Sequence, residues 1–158
     1  MTGMKLKAVS LLGLMLCSTG LVRKQVDEAA ARKPVEAFYA AFNEGFTGAA
    51  DFATEDWAHI NPFGGWTRGR ENILKEVRDA HATFLKGAAV AIAEMEVRFA
   101  SSDAAVVTVI STGTGTFTTP DGVKHEPGGR AIQTFVVVKR ETRWLVMQDQ
   151  NTLIANLR

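Results

Sequence analysis

Apolar residues recur every three or four positions in two stretches of the chain. The first stretch runs over Val26–Phe46, and the second runs over Ile73–Leu85 and is followed by Gly87. This spacing is typical of a helix that buries one face, so each stretch is predicted to be an amphipathic helix. Pro34 falls inside the first stretch. Because proline lacks the amide hydrogen, the helix is expected either to begin near Lys33 or to kink there.

The second half of the chain changes to a period of two, the spacing of strands that bury one face. An additional short strand is predicted over Trp57–Ile60, after a short helical piece around Ala49–Ala53. Helices first and strands later predict an α+β fold in which helices cover one face of a curved antiparallel sheet. The four predicted strands of the second half are Ala89–Ala100, Ala104–Thr118, Gly129–Lys139 and Arg143–Thr152.

The first twenty residues differ from the rest of the chain. Lys5 and Lys7 precede an apolar run over Ala8–Leu16, and small or polar residues follow it. This order is typical of an export signal, and the run is shorter than the about 20 apolar residues that span a bilayer. We therefore predict a cleaved signal peptide over residues 1–20 and one domain over residues 21–158. The protein is expected to be secreted or periplasmic, without a stable membrane span.

Cys17 is the only cysteine of the chain. A cysteine at the end of such a run can be lipidated after cleavage, but lipoprotein signals usually carry glycine, alanine or serine where this chain has Leu16. A signal without lipid is therefore the preferred interpretation, and an uncleaved amphipathic start is the other alternative. One cysteine excludes an intramolecular disulfide and a cysteine-based metal site.

The charges of the chain nearly cancel. It has 18 Lys and Arg against 17 Asp and Glu, a formal net charge of +1. No basic footprint of a nucleic-acid binder is present, so no nucleic-acid partner is predicted. Removal of residues 1–20 would take two lysines and no acids, which leaves 16 basic residues, 17 acidic residues and a net charge of −1.

Three parts of the sequence carry a resemblance to a known superfamily. They are FYAAFNEG at 38–45, HINPFG at 59–64 with GRENI at 69–73, and QDQNT at 148–152. Together with the order of the elements they resemble the nuclear-transport-factor-two-like superfamily, which includes ketosteroid isomerases and SnoaL-like polyketide cyclases, and within it the SgcJ/EcaC-type branch. The resemblance implies a cone-shaped α+β barrel with a hydrophobic pocket between the sheet and the helices. It also implies a homodimer through the convex face of the sheet.

The chain departs from the ketosteroid isomerases where their chemistry lies. Those enzymes use an aspartate base before a Pro-x-Gly turn, a tyrosine on the first helix and a carboxylic acid on the penultimate strand. The matching positions here are Asn61, Phe38 and Gln133. An amide cannot abstract a proton at neutral pH, and phenylalanine cannot donate a hydrogen bond to an oxyanion. Isomerisation by that mechanism is not expected.

Alternation along the strands predicts which side chains point into the cone. A slip of one residue in register would reverse the assignment for a whole strand. In the last strand, Trp144, Val146, Gln148 and Gln150 are predicted to face away from the cone. The residues predicted to face inward are Trp57, His59 and Asn61, then Ala131, Gln133, Phe135 and Val137, and finally Leu145, Met147, Asp149 and Asn151.

Asp149 and His59 are the predicted catalytic residues. A carboxyl group desolvated in an apolar pocket can act as a general base or acid near neutral pH, and imidazole titrates closest to physiological pH. A structural carboxylate, bound to an arginine or to backbone amides, and a hydrogen-bonded histidine at a strand end are the open alternatives. The predicted substrate-binding residues are Trp57, Asn61, Phe63, Trp66, His81, Phe84, Gln133, Phe135, Met147 and Asn151.

No cofactor and no metal site are predicted, since His59, His81 and Asp149 have no short-range ligand spacing. The predicted partner is a small hydrophobic molecule. Two functions remain open at this point. One is an exported, cofactor-free acid/base enzyme of isomerase, cyclase or hydrolase type that acts on a small compound bearing a carbonyl group or a ring. The other is a non-catalytic module that binds an apolar ligand or dimerises.

Overall fold

The computed structural model describes residues 12–154, with side chains described from residue 25 onward. In this part of the chain, helices α1 (Leu12–Asn43) and α2 (Arg70–Ala82) pack against a curved six-stranded sheet of order β2-β1-β8-β7-β4-β3, and β5 and β6 form a separate hairpin. The predicted α+β fold is confirmed. The strands are β1 (Ala53–Ile60), β2 (Trp66–Arg68), β3 (Val90–Phe99), β4 (Ala104–Gly113), β5 (Phe117–Thr118), β6 (Lys124–His125), β7 (Arg130–Arg140) and β8 (Arg143–Leu153).

Helix α1 is longer than predicted. It begins at Leu12 and continues through Pro34, so the alternative of a helix that begins near Lys33 is wrong. Pro34 cannot donate a hydrogen bond to the carbonyl of Ala30, and the helix continues in spite of this missing bond. Residues 1–11 lie outside the described residues, so removal of the predicted signal peptide stays a prediction. Neither described helix combines the length and the hydropathy that a membrane span requires.

Several element boundaries differ from the prediction. The predicted helical piece before β1 is wrong, because Ala50 has a left-handed φ of 53° and Ala53 already begins the strand. The predicted strand over Ala104–Thr118 is divided, since β4 ends at Gly113 and the residues that follow form the β5–β6 hairpin. Helix α2 ends at Ala82 and is followed by a turn. Strand β2 was not predicted, because three residues are too few to show a period.

The sheet is mixed, whereas the pattern predicts an antiparallel one. Strand β1 runs parallel to β8, and the other neighbouring pairs of the six-stranded sheet are antiparallel. Hairpin turns impose an antiparallel direction only on strands that follow one another in sequence. Strand β1 reaches β8 without such a turn, and the parallel pairing places His59 directly beside Asp149.

The core between the helices and the sheet is built around an aromatic cluster. The Phe38 ring lies at the centre and meets its neighbours edge-on, with centroids 5.1 Å from Phe135 and 6.1 Å from Trp57. Burial of a side chain of this size stabilises the fold by about 1.5–3 kcal/mol. The other rings that contact Phe38 are Tyr39, Phe46 and Phe52.

A bulge in β8 changes the predicted sides of the strand. Val136 pairs with Gln148 and Val137 pairs with Val146, so Met147 is an extra residue without a partner on β7. A bulge moves the alternation by one residue. On the N-terminal side of the bulge the predicted faces are therefore reversed. Trp144 and Val146 were predicted to face away but are buried in the core, and the prediction that Leu145 faces inward is wrong.

Beyond the bulge, the alternation of β8 is the predicted one. Asp149 is completely buried, Asn151 is half-buried, and Gln150 between them is exposed. On β7, Gln133 and Phe135 are buried, also as predicted. The side chains of Asp149 and Asn151, at the C-terminal end of β8, therefore point toward the helices.

Candidate active site

Asp149 lies at the centre of a buried hydrogen-bond cluster. Its side chain is 0% exposed and accepts three hydrogen bonds from neighbouring strands. The Nε1 of Trp57 donates to Oδ1 at 2.7 Å, while the Nε2 of Gln133 lies 2.6 Å and the Nδ1 of His59 2.8 Å from Oδ2. Strands β1 and β7 flank β8 on both sides, and this position brings the three donors to one carboxylate.

His59 combines a carboxylate partner with partial access to solvent. Its Nδ1 faces Asp149, and 11% of its side chain is exposed. Among the described residues no hydrogen-bond partner lies at its Nε2. Burial alone would lower the pKa of His59, but the hydrogen bond and charge of Asp149, with the charge of Glu76, raise that pKa above its usual value.

Tyr39 extends the cluster to helix α1. Its hydroxyl donates to the Oε1 of Gln133 at 3.1 Å, so the Gln133 amide connects Tyr39 to Asp149. Burial raises the pKa of Tyr39 to about 12, with a smaller contribution from the charge of Asp149 and an opposing one from a hydrogen bond with Ser111. Phe38, the predicted match to the family's tyrosine position, lies in the core, and the hydroxyl that reaches the cluster belongs to the next residue, Tyr39.

A second carboxylate approaches from helix α2. The Oε1 of Glu76 accepts a hydrogen bond from the Nδ2 of Asn61 at 3.2 Å, and the Thr67 hydroxyl donates to its Oε2. The sequence reasoning missed Glu76, Thr67 and Tyr39. A signal for Glu76 was present, because it lies three residues after the buried Ile73 on the same side of the helix.

Asn61 shapes the turn between β1 and β2. Its Oδ1 accepts the backbone N–H groups of Phe63 at 3.0 Å and Gly65 at 2.9 Å. A side chain at Gly65 would place its Cβ 2.4 Å from the Nδ2 of Asn61, so glycine is needed for this approach. The structure therefore gives Asn61 a turn-forming role in addition to its contact with Glu76.

The predicted aromatic residues fall into two groups. Trp57 and Phe135 are completely buried, the first as a donor to Asp149 and the second within the aromatic core. Phe63 and Trp66 are 57% and 59% exposed on the β1–β2 turn, and the guanidinium of Arg68 lies 3.9 Å from the centre of the Trp66 ring. Of these four aromatic side chains, Trp57 is the one that donates a hydrogen bond to the carboxylate, and Phe135 is the cross-strand partner of Asp149.

His81 lies in a different environment. Its ring meets Phe42 edge-on at 4.7 Å and lies 5.9 Å from Phe46, and its Nε2 is buried without a hydrogen-bond partner among the described residues. Burial lowers the pKa of His81. No hydrogen bond of His81 to His59 or Asp149 is present in the part of the chain that the structure describes.

The remaining predicted residues lie around the cluster. Phe84 is half-buried in the turn after α2, and Met147 is half-buried at the bulge of β8. Asn151 pairs with Gln133 across β7 and β8, and its Oδ1 is buried without a partner among residues 25–154. The structure places Asn151 next to the cluster, and it places Phe84 and Met147 in other elements without a polar contact to it.

Neither of two cavities among the described residues is lined by the dyad of His59 and Asp149. One cavity of about 550 Å³ lies between α1 and the β7–β8 turn and is lined by Pro34, Phe52 and Trp144 among others. Another of about 310 Å³ lies at the start of α2, beside Arg70. Asp149 and His59 line neither of them. Within residues 25–154 no three His, Cys, Asp or Glu side chains are grouped as metal ligands.

Known proteins share this sequence pattern and fold. The sequence profile of the SnoaL-like domain matches residues 35–145. No curated protein matches the chain. A solved structure of an uncharacterised protein with a cystatin-like fold from Caulobacter vibrioides has a TM-score of 0.74 at 22% identity, and the match covers 82% of this chain and 90% of that one.

Two structures from Novosphingobium aromaticivorans are also similar. One is an NTF2-like protein with a cystatin-like fold, with a TM-score of 0.70 at 16% identity and coverage of 95% of this chain and 94% of that chain. The other is provisionally assigned as a scytalone dehydratase, with a TM-score of 0.66 at 17% identity and coverage of 84% and 87%. The SgcJ/EcaC-type branch stays a prediction. The profile match over residues 35–145 shows that the chain belongs to the SnoaL-like domain family.

Proposed function

We propose that this protein is a cofactor-free acid/base enzyme of isomerase, cyclase or hydrolase type, acting on a small hydrophobic compound with a carbonyl group or a ring. The observation that carries the proposal is the 2.8 Å contact between the Nδ1 of His59 and the buried carboxylate of Asp149. A carboxylate at one imidazole nitrogen fixes the tautomer and stabilises the protonated ring, so the other nitrogen can exchange a proton with a substrate.

In this proposal His59 is the catalytic residue and Asp149 is a positioning residue. Asp149 is fully buried beneath its three donors, so a substrate would reach it only if neighbouring side chains moved. His59 keeps an exposed portion and an Nε2 that no described residue binds. The proton is therefore exchanged at the Nε2 of His59, while Asp149 compensates the charge of the imidazolium.

Gln133 and Tyr39 hold the carboxylate in place. The Gln133 amide donates to Asp149 and accepts from the Tyr39 hydroxyl, which fixes both the amide and the carboxylate. Because the pKa of Tyr39 is raised to about 12, the hydroxyl keeps its proton at neutral pH and serves as a donor. Asn61 has no acid/base role, because its oxygen accepts two backbone amides of the turn.

Supporting evidence also comes from a protein of the same fold. The Novosphingobium structure provisionally assigned as a scytalone dehydratase indicates that the cone can host an enzyme. A module that binds an apolar ligand without turnover is the second candidate. It is favoured by one specific observation, namely that neither described cavity is lined by the dyad.

Proton exchange with solvent tests the enzyme proposal without knowledge of the substrate. A panel of hydrophobic cyclic ketones and enones is incubated with the protein in D2O, and incorporation of deuterium next to the carbonyl is followed by NMR, with product formation followed by mass spectrometry. The variant His59→Gln should lose about 10²–10⁴-fold of the exchange rate. His125→Gln, on the separate β5–β6 hairpin, is the matched control and should exchange like the wild type.

Two results would contradict the enzyme proposal. Unchanged exchange in His59→Gln would exclude His59 as the proton carrier. Compounds that bind the wild-type protein but neither exchange nor react would favour the binding module. In that case the only effect of His59→Gln would be a change in the affinity of the protein for these compounds.

We further propose that the protein is exported and forms a homodimer through the convex face of the sheet. The charged, apolar and small-residue order of residues 1–20 supports export. On the convex face, Ile132 is 37% exposed and pairs with the half-buried Ile110 of β4, which supports an apolar contact there. Native mass spectrometry of protein purified from its source would give the subunit count, any retained ligand and the mass after cleavage. A strictly monomeric mass would contradict the dimer, and a full-length mass would contradict cleavage.

A further inference from the structure

Glu76 is the only carboxylate of helix α2 that bonds to both sides of the β1–β2 turn among the described contacts. Its two oxygens bind Asn61, on the first side of the turn, and Thr67, on the second side. The side chain is half-buried, and it faces the sheet from the same side of α2 as the fully buried Ile73. Burial of a carboxylate is costly unless it is hydrogen-bonded, so these two contacts are needed to hold it there.

Both partners of Glu76 adjoin His59. Thr67 is the cross-strand partner of His59 in the β1–β2 pair, and directly paired residues place their side chains on the same face of a sheet. Asn61 follows His59 by two positions. Glu76 therefore binds the neighbours of the imidazole on the side opposite to strand β8.

We propose that Glu76 is a positioning residue for His59: its carboxylate holds Thr67 and Asn61, and with them strand β2 and the adjoining turn, against the imidazole. This inference rests on the proposed function of His59. The site would then contain two carboxylates. Asp149 on strand β8 contacts the imidazole directly, and Glu76 on helix α2 holds the neighbours of the imidazole.

The charges around His59 support this role. From β8 the facing charged group is Asp149, and from α2 it is Glu76. Arg68 on β2 lies on the opposite face of its strand from Thr67 and stacks on an exposed ring. Within residues 25–154 no lysine or arginine is ion-paired to either carboxylate. Both carboxylates therefore favour the protonated imidazole, and both raise the pKa of His59.

NMR titration of the His59 imidazole tests the proposal directly. In Glu76→Gln the charge is lost while the side-chain size is kept, and the pKa of His59 should fall by several tenths of a pH unit. Glu71→Gln removes an exposed carboxylate five residues earlier on the same helix and should leave the pKa of His59 unchanged. An unchanged His59 titration in Glu76→Gln, with an otherwise native spectrum, would overturn the proposal. A purely structural role of Glu76 would lower the melting temperature without moving that titration.

A second variant answers the same question if Glu76→Gln does not fold. Thr67→Val removes one contact of Glu76 and keeps its charge in the protein. The freed carboxylate should move away from His59, so the pKa of His59 should fall. This fall should be smaller than the fall in Glu76→Gln, which removes the charge. No change in the titration of Thr67→Val would also overturn the proposal.

The titration separates this inference from the proposed function. If no compound shows turnover, the His59 titration of the variants still reports whether Glu76 acts on the imidazole. If turnover is found and depends on His59, Glu76→Gln should shift the limb of the kcat/KM profile that reports His59 by the same amount as the NMR titration. If turnover depends on His59 but the pH profiles of kcat/KM are identical in Glu76→Gln and the wild type, Glu76 does not act on His59. The proposed role of His59 would then stand without Glu76.

Discussion

His59 on β1 and His81 on α2 are both shielded from solvent, but their hydrogen-bond partners differ. His59 contacts a buried carboxylate at 2.8 Å. His81 contacts the edge of Phe42, and its Nε2 is buried without a partner among the described residues. The pKa of His59 is raised and that of His81 is lowered. The same side chain therefore has a carboxylate partner at His59 and an aromatic neighbour without a hydrogen bond to Nε2 at His81.

Burial by itself does not make a histidine functional. Burial lowers the pKa of both rings, because a low dielectric disfavours the charged form. Only at His59 does a carboxylate outweigh that effect. A structural argument for catalysis must therefore rest on the partner of the histidine, which here is Asp149.

Among the variants that test the difference between the two histidines, removal of Asp149 should have the largest effect on the free energy of unfolding. Asp149→Ala leaves the Nε1 of Trp57, the Nε2 of Gln133 and the imidazole without their common acceptor, so the free energy of unfolding should fall by about 3–5 kcal/mol. Urea unfolding monitored by circular dichroism measures this. Asp79→Ala, which removes the exposed partner of Lys75, is the control and should cost no more than about 0.5 kcal/mol. Equal effects of the two variants would mean that the buried cluster contributes nothing.

The pH dependence of stability should have opposite signs for the two histidines. The raised pKa of His59 adds stability that is complete below its ordinary value of 6.5 and is lost as the pH rises through the folded pKa. The lowered pKa of His81 adds stability that is complete above 6.5 and is lost as the pH falls through its folded pKa. Urea unfolding of His59→Gln and His81→Gln across this range should change the pH slope of the wild type in opposite directions. Slopes that change in the same direction would contradict the comparison.

Replacement of His81 by an apolar ring should have the smallest effect. His81→Phe keeps the edge contact with Phe42 and removes the unpartnered Nε2, so it should leave stability unchanged or raise it by up to about 1 kcal/mol. Thermal unfolding at neutral pH measures this, with His59→Phe as the matched variant that should destabilise the protein. A loss of stability in His81→Phe as large as that in His59→Phe would show that the His81 nitrogens make bonds that this account omits.

The architecture could be predicted from the sequence because its signals are periodic. The stripes of α1 and α2 and the alternation along β3, β4 and β7 gave the α+β class, which the structure and the family match confirm. The parallel pairing of β1 with β8 could not be predicted, because no local turn joins them. The bulge at Met147 could not be predicted either, since one extra residue leaves no mark in the hydrophobic pattern.

The site could be predicted only in part. Alternation placed His59, Gln133 and Asp149 on one inner surface, and the structure brings these three together. Alternation gave no information about which side chains bind one another. The complete burial of Asp149 and the hydrogen bond of Tyr39 are therefore known only from the structure. Glu76 was missed because its helix face was assigned from apolar residues alone.

An NMR titration of the histidine side chains of the wild-type protein, with nitrogen shifts that report the tautomer, shows whether Asp149 controls His59. His59 should carry its proton on Nδ1 when neutral and have a pKa above 6.5, and the pKa of His81 should lie below 6.5 in the same sample. If His59 titrates at or below 6.5, or carries its proton on Nε2 when neutral, the dyad with Asp149 does not govern this site.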